Sequence, residues 1–335
     1  MYYNDKNEPC GLVTNIQGYT IHDGPGIRTE IFFKGCTLKC PWCSNPEGIG
    51  IGPQLGVYPA KCIDLSKCGF CVKGCPLGGS PIRFDEDGVL KAIDMADNCK
   101  DCLKCAESCP ASAIKIWGEK MTVPELMKII EGDRNFYERT GGGLTVSGGE
   151  VLIQWDFVRL LLAECRRAGI HTCVESALFV PAEHVDAVME YTDLLITDIK
   201  YIDPKRHKDA VGAPNELIFS NMKRIAGMGI PMVIRTPIVP GWNDDDENML
   251  GIGSFVQELG PSVIAYQLLP YRKMGTEKYA TLNQDYPMGD YEAPSREVWE
   301  PNLLRIRDML LEKYNIPVVA GSSQKLPEAA SKRRG

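Results

Sequence analysis

Three closely spaced cysteines, Cys36, Cys40 and Cys43, are the residues of this sequence best suited to redox chemistry. Cysteine thiolates are the usual ligands of iron–sulfur clusters, and a cluster of four irons needs four ligands. Because this loop supplies three, one iron would keep an open coordination position. The alternative is a structural zinc site, which needs a fourth cysteine or histidine, and the nearest candidates are His22 and Cys62.

Eight further cysteines form two groups, whose last three members repeat with a period of 34 residues. The groups are Cys62, Cys68, Cys71 and Cys75, and Cys99, Cys102, Cys105 and Cys109. The repeat resembles bacterial two-cluster ferredoxins, in which the fourth cysteine of each run binds the other cluster. This resemblance implies one cluster on Cys62, Cys68, Cys71 and Cys109, and another on Cys75, Cys99, Cys102 and Cys105. The first run departs from the regular spacing, since five residues separate Cys62 from Cys68.

A longer motif precedes the three-cysteine loop, the run Asp23-Gly24-Pro25-Gly26-Ile27-Arg28. Together with the cysteine spacing and the aromatic residue before Cys43, it resembles the activating enzymes of glycyl radical enzymes, in the radical S-adenosylmethionine (SAM) superfamily. The resemblance implies that the amino and carboxylate groups of SAM chelate the open iron. It also implies that Asp23, Gly24, Pro25 and Gly26 form the loop at which the partner's glycine segment docks.

Composition and charge narrow the classes of function. The chain has 335 residues and a net charge of −7, which disfavours nucleic acid as a partner because phosphate binding needs a basic surface. No apolar run reaches the roughly 18 residues of a membrane span, and the first residues lack a signal-peptide pattern. We therefore expect a cytoplasmic monomer, in which the fourteen cysteines are metal ligands or buried thiols rather than disulfides. Cys10, Cys165 and Cys173 are assigned no ligand role.

From about residue 120 onward, strand and helix patterns alternate. Thr122 and Glu125 form a capping-box signature for a helix that follows. Strands are predicted at 30–33, 144–146, 172–174, 194–197, 231–239, 263–269 and 316–319, and later helices at 154–168, 182–190, 215–227, 244–258 and 299–314. Such alternation predicts a parallel sheet covered by helices. About seven strands suit the partial, open α/β barrel shared by radical SAM enzymes, although periodicity alone also fits a flavodoxin-like open sheet.

The predicted domains are 1–50 and 119–335 for the barrel, and 51–118 for an inserted ferredoxin-like domain with two clusters.

Polar motifs follow successive predicted strands, where parallel α/β folds place their sites. Ser147-Gly148-Gly149-Glu150 would otherwise be a tight strand-to-helix turn, but it resembles the superfamily motif that holds the SAM amino group, which implies this role for Gly148, Gly149 and Glu150. The resemblance further places Asp198 and Lys200 at the SAM ribose and carboxylate, where the two could otherwise form a structural ion pair. Glu175 and Ser176 match a position at which relatives bind a cation beside SAM. Trp42 covers the adenine or packs the cluster loop, and Ser44 is included with the cofactor-binding residues.

The predicted activity is reductive cleavage of SAM and abstraction of hydrogen from a glycine Cα of a partner glycyl radical enzyme. No side chain is required as an acid, base or nucleophile. The three [4Fe–4S] clusters would draw electrons from a flavodoxin or a ferredoxin, with the two extra clusters acting as a relay or as structural units. One alternative is a radical SAM enzyme that acts on a small molecule or peptide with auxiliary clusters. A second alternative is a ferredoxin-like electron carrier without catalysis.

Overall fold

One large sheet flanked by helices forms the centre of the protein in this computed structural model, which describes residues 1–94, 99, 102–321 and 326–334. The strands are β1 (Tyr2–Tyr3), β2 (Pro9–Thr20), β3 (Arg28–Phe33), β4 (Gln54–Val57), β5 (Ile82–Phe84), β6 (Leu90–Ile93), β7 (Ile114–Trp117), β8 (Glu119–Thr122), β9 (Gly143–Gly148), β10 (His171–Glu175), β11 (Leu194–Asp198), β12 (Met232–Ile238), β13 (Val263–Pro270) and β14 (Val318–Ala320). The α-helices are α1 (Phe70–Gly74), α2 (Lys104–Glu107), α3 (Val123–Gly132), α4 (Arg134–Thr140), α5 (Trp155–Arg167), α6 (Ala182–Met189), α7 (Pro204–Val211), α8 (Glu216–Gly227), α9 (Asp246–Leu259), α10 (Thr276–Thr281) and α11 (Arg296–Lys313). Within these ranges no helix is both long and apolar enough to cross a bilayer.

Seven parallel strands of the large sheet neighbour one another in chain order, from β3 through β9 to β14. A doubly wound sheet reverses its strand order at a switch point, whereas a barrel keeps neighbouring strands consecutive. Because β3 and β14 are not paired with each other in the described residues, the barrel is open. The prediction of a partial α/β barrel is confirmed, and the flavodoxin-like alternative is wrong.

The two faces of the parallel sheet differ in chemistry because successive side chains on a strand point to opposite faces. Ile31, Val146 and Ile234 belong to the large core that the helices cover. Glu30, Ser147 and other polar residues alternate with them and therefore face the concave side. On the same side, but nearer the amino-terminal ends of the strands, the buried Ala330 packs in a small apolar cluster with Cys173, Leu194, Ile196, Val233 and Ala265.

The strands and helices predicted after residue 119 are present, with ends that differ by up to about three residues. The capping box is also present, since the Glu125 carboxylate accepts a hydrogen bond from the backbone N–H of Thr122 at 2.8 Å. The twelve-residue strand β2 was not predicted. It pairs antiparallel with β3 and β8, and its polar second half lacks the apolar alternation by which a strand is recognised.

The segment from β4 to β7 lies outside the large sheet and has a small core of its own. Strand β4, at the start of the segment, pairs with β7 at its end, and strand β5 pairs with β6 in its middle. The short helices α1 and α2 begin 34 residues apart, at Phe70 and Lys104, which is the period of the cysteines. The domain boundaries at 51 and 118 stay predictions.

Candidate functional site

The three-cysteine loop begins two residues after β3 and is held between two other stretches of backbone. The N–H of Gly35 donates to the carbonyl of Gly48 at 2.7 Å, and the N–H of Glu150 donates to the carbonyl of Gly35 at 2.6 Å. A Cβ on Gly149 would lie 2.1 Å from the carbonyl oxygen of Gly35 and 2.5 Å from that of Gly48. The Gly-Gly pair is therefore needed for the cysteine loop itself to approach the end of β9.

The three thiols lie near one another, and each cysteine is partly exposed. Burial raises the pKa of Cys36 to about 12 and the pKa values of Cys40 and Cys43 to about 11 each, and the three groups also interact electrostatically. Thiols with such pKa values stay protonated at neutral pH unless a metal displaces the proton. Backbone N–H groups of Leu38 and Asn45 donate to the sulfurs of Cys36 and Cys43, each at 3.4 Å. The donor set fits an iron–sulfur cluster with three thiolate ligands.

Glu150 supplies a buried carboxylate beside this loop. The residue is 1% exposed. Its Oε1 accepts hydrogen bonds from the N–H of Leu152 at 3.0 Å and from the hydroxyl of Ser176 at 2.7 Å. Its Oε2 is buried and has no hydrogen-bond partner among the residues that the structure describes. A buried acceptor without a partner is costly. This oxygen is therefore suited to accept a hydrogen bond from a bound donor such as the ammonium group of SAM.

Asp198 and Lys200, at the end of β11, form an ion pair of 3.0 Å. Burial alone would lower the pKa of Lys200, but Asp198 and the sulfur of Cys40 outweigh it, so the net shift is upward. The Lys200 ammonium thus stays charged next to the three-cysteine loop. It can offer a positive charge to a carboxylate bound at the same place.

Arg235, on β12, links several acidic residues of the concave face and was missed in the sequence analysis. Its guanidinium contacts Asp23 at 2.7 Å and Glu175 at 3.0 Å, and it also donates to the carbonyl of His22 at 2.7 Å. The hydroxyl of Ser147 donates to the other oxygen of Glu175 at 2.5 Å. A single arginine in the apolar run of β12 was the available signal, since a buried charge needs a partner.

A cavity of about 470 Å³ opens beside this network. Its lining includes Gln17, Tyr19, Thr20, Ile21, His22, Asp23, Glu30, Phe32, Ser44, Asn45, Ser147, Glu175 and Met274. Burial, followed by the charges of Asp23 and Glu175, raises the pKa of Glu30, so this group is neutral at pH 7. Of the predicted docking loop, Asp23 reaches the cavity, whereas Gly24 packs on the side chain of Arg28 and Gly26 on the backbone of Gly142. The carbonyl of Pro25 accepts a hydrogen bond from Arg28 at 3.0 Å.

Trp42 and Ser44 flank Cys43 in different surroundings. The ring of Trp42 is buried in an apolar cluster and makes an edge contact with Trp242, with centroids 5.9 Å apart. Ser44 lines the cavity, and its backbone lies against Gly275. The structure therefore gives Trp42 the packing contacts that were weighed as the alternative to covering adenine.

Cysteines from both copies of the repeat lie close to one another in the 54–117 segment. An apolar pocket is lined by Cys62, Cys68, Cys71 and Cys109. Burial raises the pKa of Cys71, and Cys109, Cys68 and Cys62 are near enough to raise it further. Burial likewise raises the pKa of Cys105 to about 11, with added effects of Cys99, Cys75 and Cys102. The irregular spacing after Cys62 does not separate it from the other three.

Comparisons with known proteins show which family the chain resembles. The model of the radical SAM superfamily matches residues 100–251. The chain is 42% identical over 324 residues to the (2S)-3-sulfopropanediol dehydratase activating enzyme of Klebsiella oxytoca, covering 96% of this chain and 100% of that one. It is 40% identical to the isethionate sulfite-lyase activating enzyme of Desulfovibrio desulfuricans, over 95% of this chain and 100% of the relative. It is also 40% identical to the indoleacetate decarboxylase activating enzyme of Tractidigestivibacter scatoligenes, over 87% and 93% of the two chains.

Proposed function

Since the chain belongs to the activating enzymes of glycyl radical enzymes, within the radical SAM superfamily, we propose that Cys36, Cys40 and Cys43 hold its SAM-binding cluster. When bound, the cluster and SAM together supply the one-electron cleavage that yields a 5′-deoxyadenosyl radical, which takes a hydrogen atom from a glycine Cα of the partner. The observation that carries the proposal is the buried Oε2 of Glu150, which lacks a hydrogen-bond partner in the described residues and lies beside three clustered thiols. Family membership makes the chain an enzyme, so the electron-carrier alternative is wrong.

The residues around the loop have distinct proposed tasks. Glu150 accepts from the SAM ammonium, with Gly148 and Gly149 providing the close approach of backbone. Lys200 and Asp198 orient the carboxylate and ribose, and their ion pair keeps Lys200 charged while it is buried. Holding a ligand in one orientation in a buried site accounts for much of what a protein contributes to cofactor chemistry.

Glu175 is proposed to act through Arg235 rather than through a bound metal cation. Relatives with an aspartate at this position are expected to bind a cation beside SAM, but here both Glu175 oxygens already have partners, Arg235 and Ser147. The guanidinium supplies the positive charge that such a cation would bring. Ser176 then serves Glu150, to which its hydroxyl donates.

The segment 51–118 is proposed to be an inserted ferredoxin-like domain with two further [4Fe–4S] clusters. The crossed cysteine sets and the 34-residue repeat of α1 and α2 support this assignment. The clusters would pass electrons from a flavodoxin or ferredoxin toward the SAM cluster. The protein is proposed to work as a monomer in the anaerobic cytoplasm, and its many free thiols favour such a reducing compartment.

The proposed partner is a glycyl radical enzyme whose glycine segment enters the cavity next to Asp23. The three relatives above are named for a dehydratase, a sulfite-lyase and a decarboxylase at 40 to 42% identity. We therefore propose a glycyl radical enzyme as the partner. The type of reaction is set by that partner enzyme and not by this chain.

Anaerobic reaction with SAM, a reductant and a candidate glycyl radical enzyme tests the proposal. We expect 5′-deoxyadenosine and the doublet of a glycine radical by electron paramagnetic resonance (EPR). Cys40→Ala should abolish both products because the cluster loses one of its three ligands. Cys165→Ala is the matched control, since Cys165 is fully buried in the apolar core and its removal should leave both products. Product formation by Cys40→Ala would refute the assigned cluster site.

A further inference from the structure

We propose that the phenolic hydroxyl of Tyr279 donates a hydrogen bond to the sulfur of the cluster held by Cys36, Cys40 and Cys43, and thereby raises its reduction potential. The inference rests on the proposed ligand set of that cluster. It adds a residue more than 230 positions away in the chain, which none of the motifs contains.

Helix α10, which carries Tyr279, is docked on the residues that follow Cys43. The Lys278 ammonium contacts the side-chain oxygen of Asn45 at 2.7 Å and the carboxylate of Glu47 at 2.6 Å. At the start of the helix, a Cβ on Gly275 would lie 2.4 Å from the carbonyl oxygen of Ser44, and Gly275 has a φ of 78°. The helix can approach the loop this closely because position 275 is a glycine. Tyr279 is thus fixed relative to the end of the cysteine loop.

The hydroxyl of Tyr279 is buried and lacks a hydrogen-bond partner in the described ranges of the chain. The residue is 3% exposed, so water does not replace the missing partner at the protein surface. Burial raises the pKa of Tyr279, and Cys43, Tyr286 and Cys40 are near enough to raise it further, so the hydroxyl lies near two of the three thiols. A buried hydroxyl without an acceptor is costly, and the negatively charged cluster beside it would supply that acceptor.

The neighbouring tyrosines do not compete for this role. The ring of Tyr279 makes an edge contact with the ring of Tyr286, with centroids 5.3 Å apart. The hydroxyl of Tyr286 is already hydrogen-bonded to that of Tyr271 at 2.7 Å. Ring packing therefore orients Tyr279, while its own hydroxyl stays available.

A donor to cluster sulfur stabilises the reduced, more negative state more than the oxidised state, which raises the potential. Loss of one such bond should lower the equilibrium constant for reduction about tenfold, or about 59 mV for a one-electron couple. A higher potential makes it easier for the cluster to accept an electron from the relay.

The test is a redox titration of the reconstituted enzyme followed by EPR, with Tyr279→Phe and Tyr286→Phe compared. The signal of the SAM cluster is the one missing from Cys40→Ala. We expect a lower potential for Tyr279→Phe and an unchanged one for Tyr286→Phe. Tyr279→Phe should also lose an exchangeable-proton coupling of this cluster that Tyr286→Phe retains. An unchanged potential and unchanged couplings in Tyr279→Phe would overturn the inference.

If Tyr279→Phe does not assemble its cluster, 3,5-difluorotyrosine at position 279 gives a second measurement. Its more acidic hydroxyl is a stronger donor, so the potential should rise, and a fall or no change would count against the inference. Failure of the proposed function is recognised separately. In that case the cluster signal would persist in Cys40→Ala, whatever residue 279 does.

Discussion

The three-cysteine loop and the 54–117 segment offer iron the same donor atoms in opposite surroundings. Around the loop, charged groups converge from the ends of two strands, namely the buried Glu150 and Lys200 and the partly exposed Asp198. The pocket that collects Cys62 and its three partners is lined mainly by apolar residues such as Leu65, Phe84, Leu90 and Ile114. A cluster in apolar surroundings with four sulfurs can store and pass an electron, whereas three sulfurs beside charged groups leave room for a ligand and its reaction.

The two regions also differ in how their folds are stabilised. The parallel sheet has a large core between strands and helices. The core of the segment is small, with Leu55, Val57, Ile82, Leu90 and Ile114 among its buried residues, and cysteines packed around it. Small domains with such cores usually depend on metals or disulfides for stability.

Removal of iron should therefore unfold the 54–117 segment and leave the parallel sheet folded. After anaerobic chelation, amides of β5 and β7 should exchange hydrogen at rates close to those of an unfolded chain, because metal binding contributes the folding free energy of such a segment. Amides of β9, β11 and β12 should keep their protection. Hydrogen exchange with mass spectrometry measures both, and the holoenzyme is the control. Retained protection in β5 and β7 would show that the segment folds without its clusters.

A smaller effect, a partial loss of iron, is expected when only one of the two clusters in the 54–117 segment is removed. Cys75→Ala should lose about a third of the bound iron, since one of three four-iron clusters is lost. Adding Cys99→Ala to Cys75→Ala should cause no further loss because both belong to one set. Adding Cys68→Ala instead should remove a second cluster.

Iron analysis and EPR of these double variants decide between crossed and uncrossed ligation. If Cys75→Ala combined with Cys68→Ala loses no more iron than Cys75→Ala alone, the crossed assignment is wrong. The SAM-cluster signal, which depends on Cys40, serves as the internal reference in each variant.

The smallest predicted effect concerns SAM binding rather than cluster assembly. Glu150→Gln should weaken SAM binding about tenfold to a hundredfold, because a charge-assisted hydrogen bond to the ammonium becomes a neutral one. The iron content should not change. Equilibrium binding of SAM measures this, with Glu125→Gln, in the capping box of α3, as the control. Unchanged affinity in Glu150→Gln would remove Glu150 from the SAM site and weaken the contrast between the two regions.

Prediction from the sequence succeeded where the signal is local. The strands from β9 onward follow from apolar runs, and the capping box opens α3 where Thr122 and Glu125 stand. Arg235 was missed because its partners, Asp23 and Glu175, lie 212 and 60 residues away. Strand β2 was missed because its second half is mostly exposed and lacks apolar alternation.

The sequence by itself determined that three cysteines stand in one loop and eight in two groups, six of which are related by a spacing of 34 residues, since ligand spacing is read directly from the order of residues. Tertiary structure decided which side chains surround those sulfurs. Strand order brings Glu150 and Lys200 to one edge of the sheet, and the docking of α10 brings Tyr279 to Cys43. Contacts of this kind depend on how distant elements pack, and no local pattern of residues encodes them.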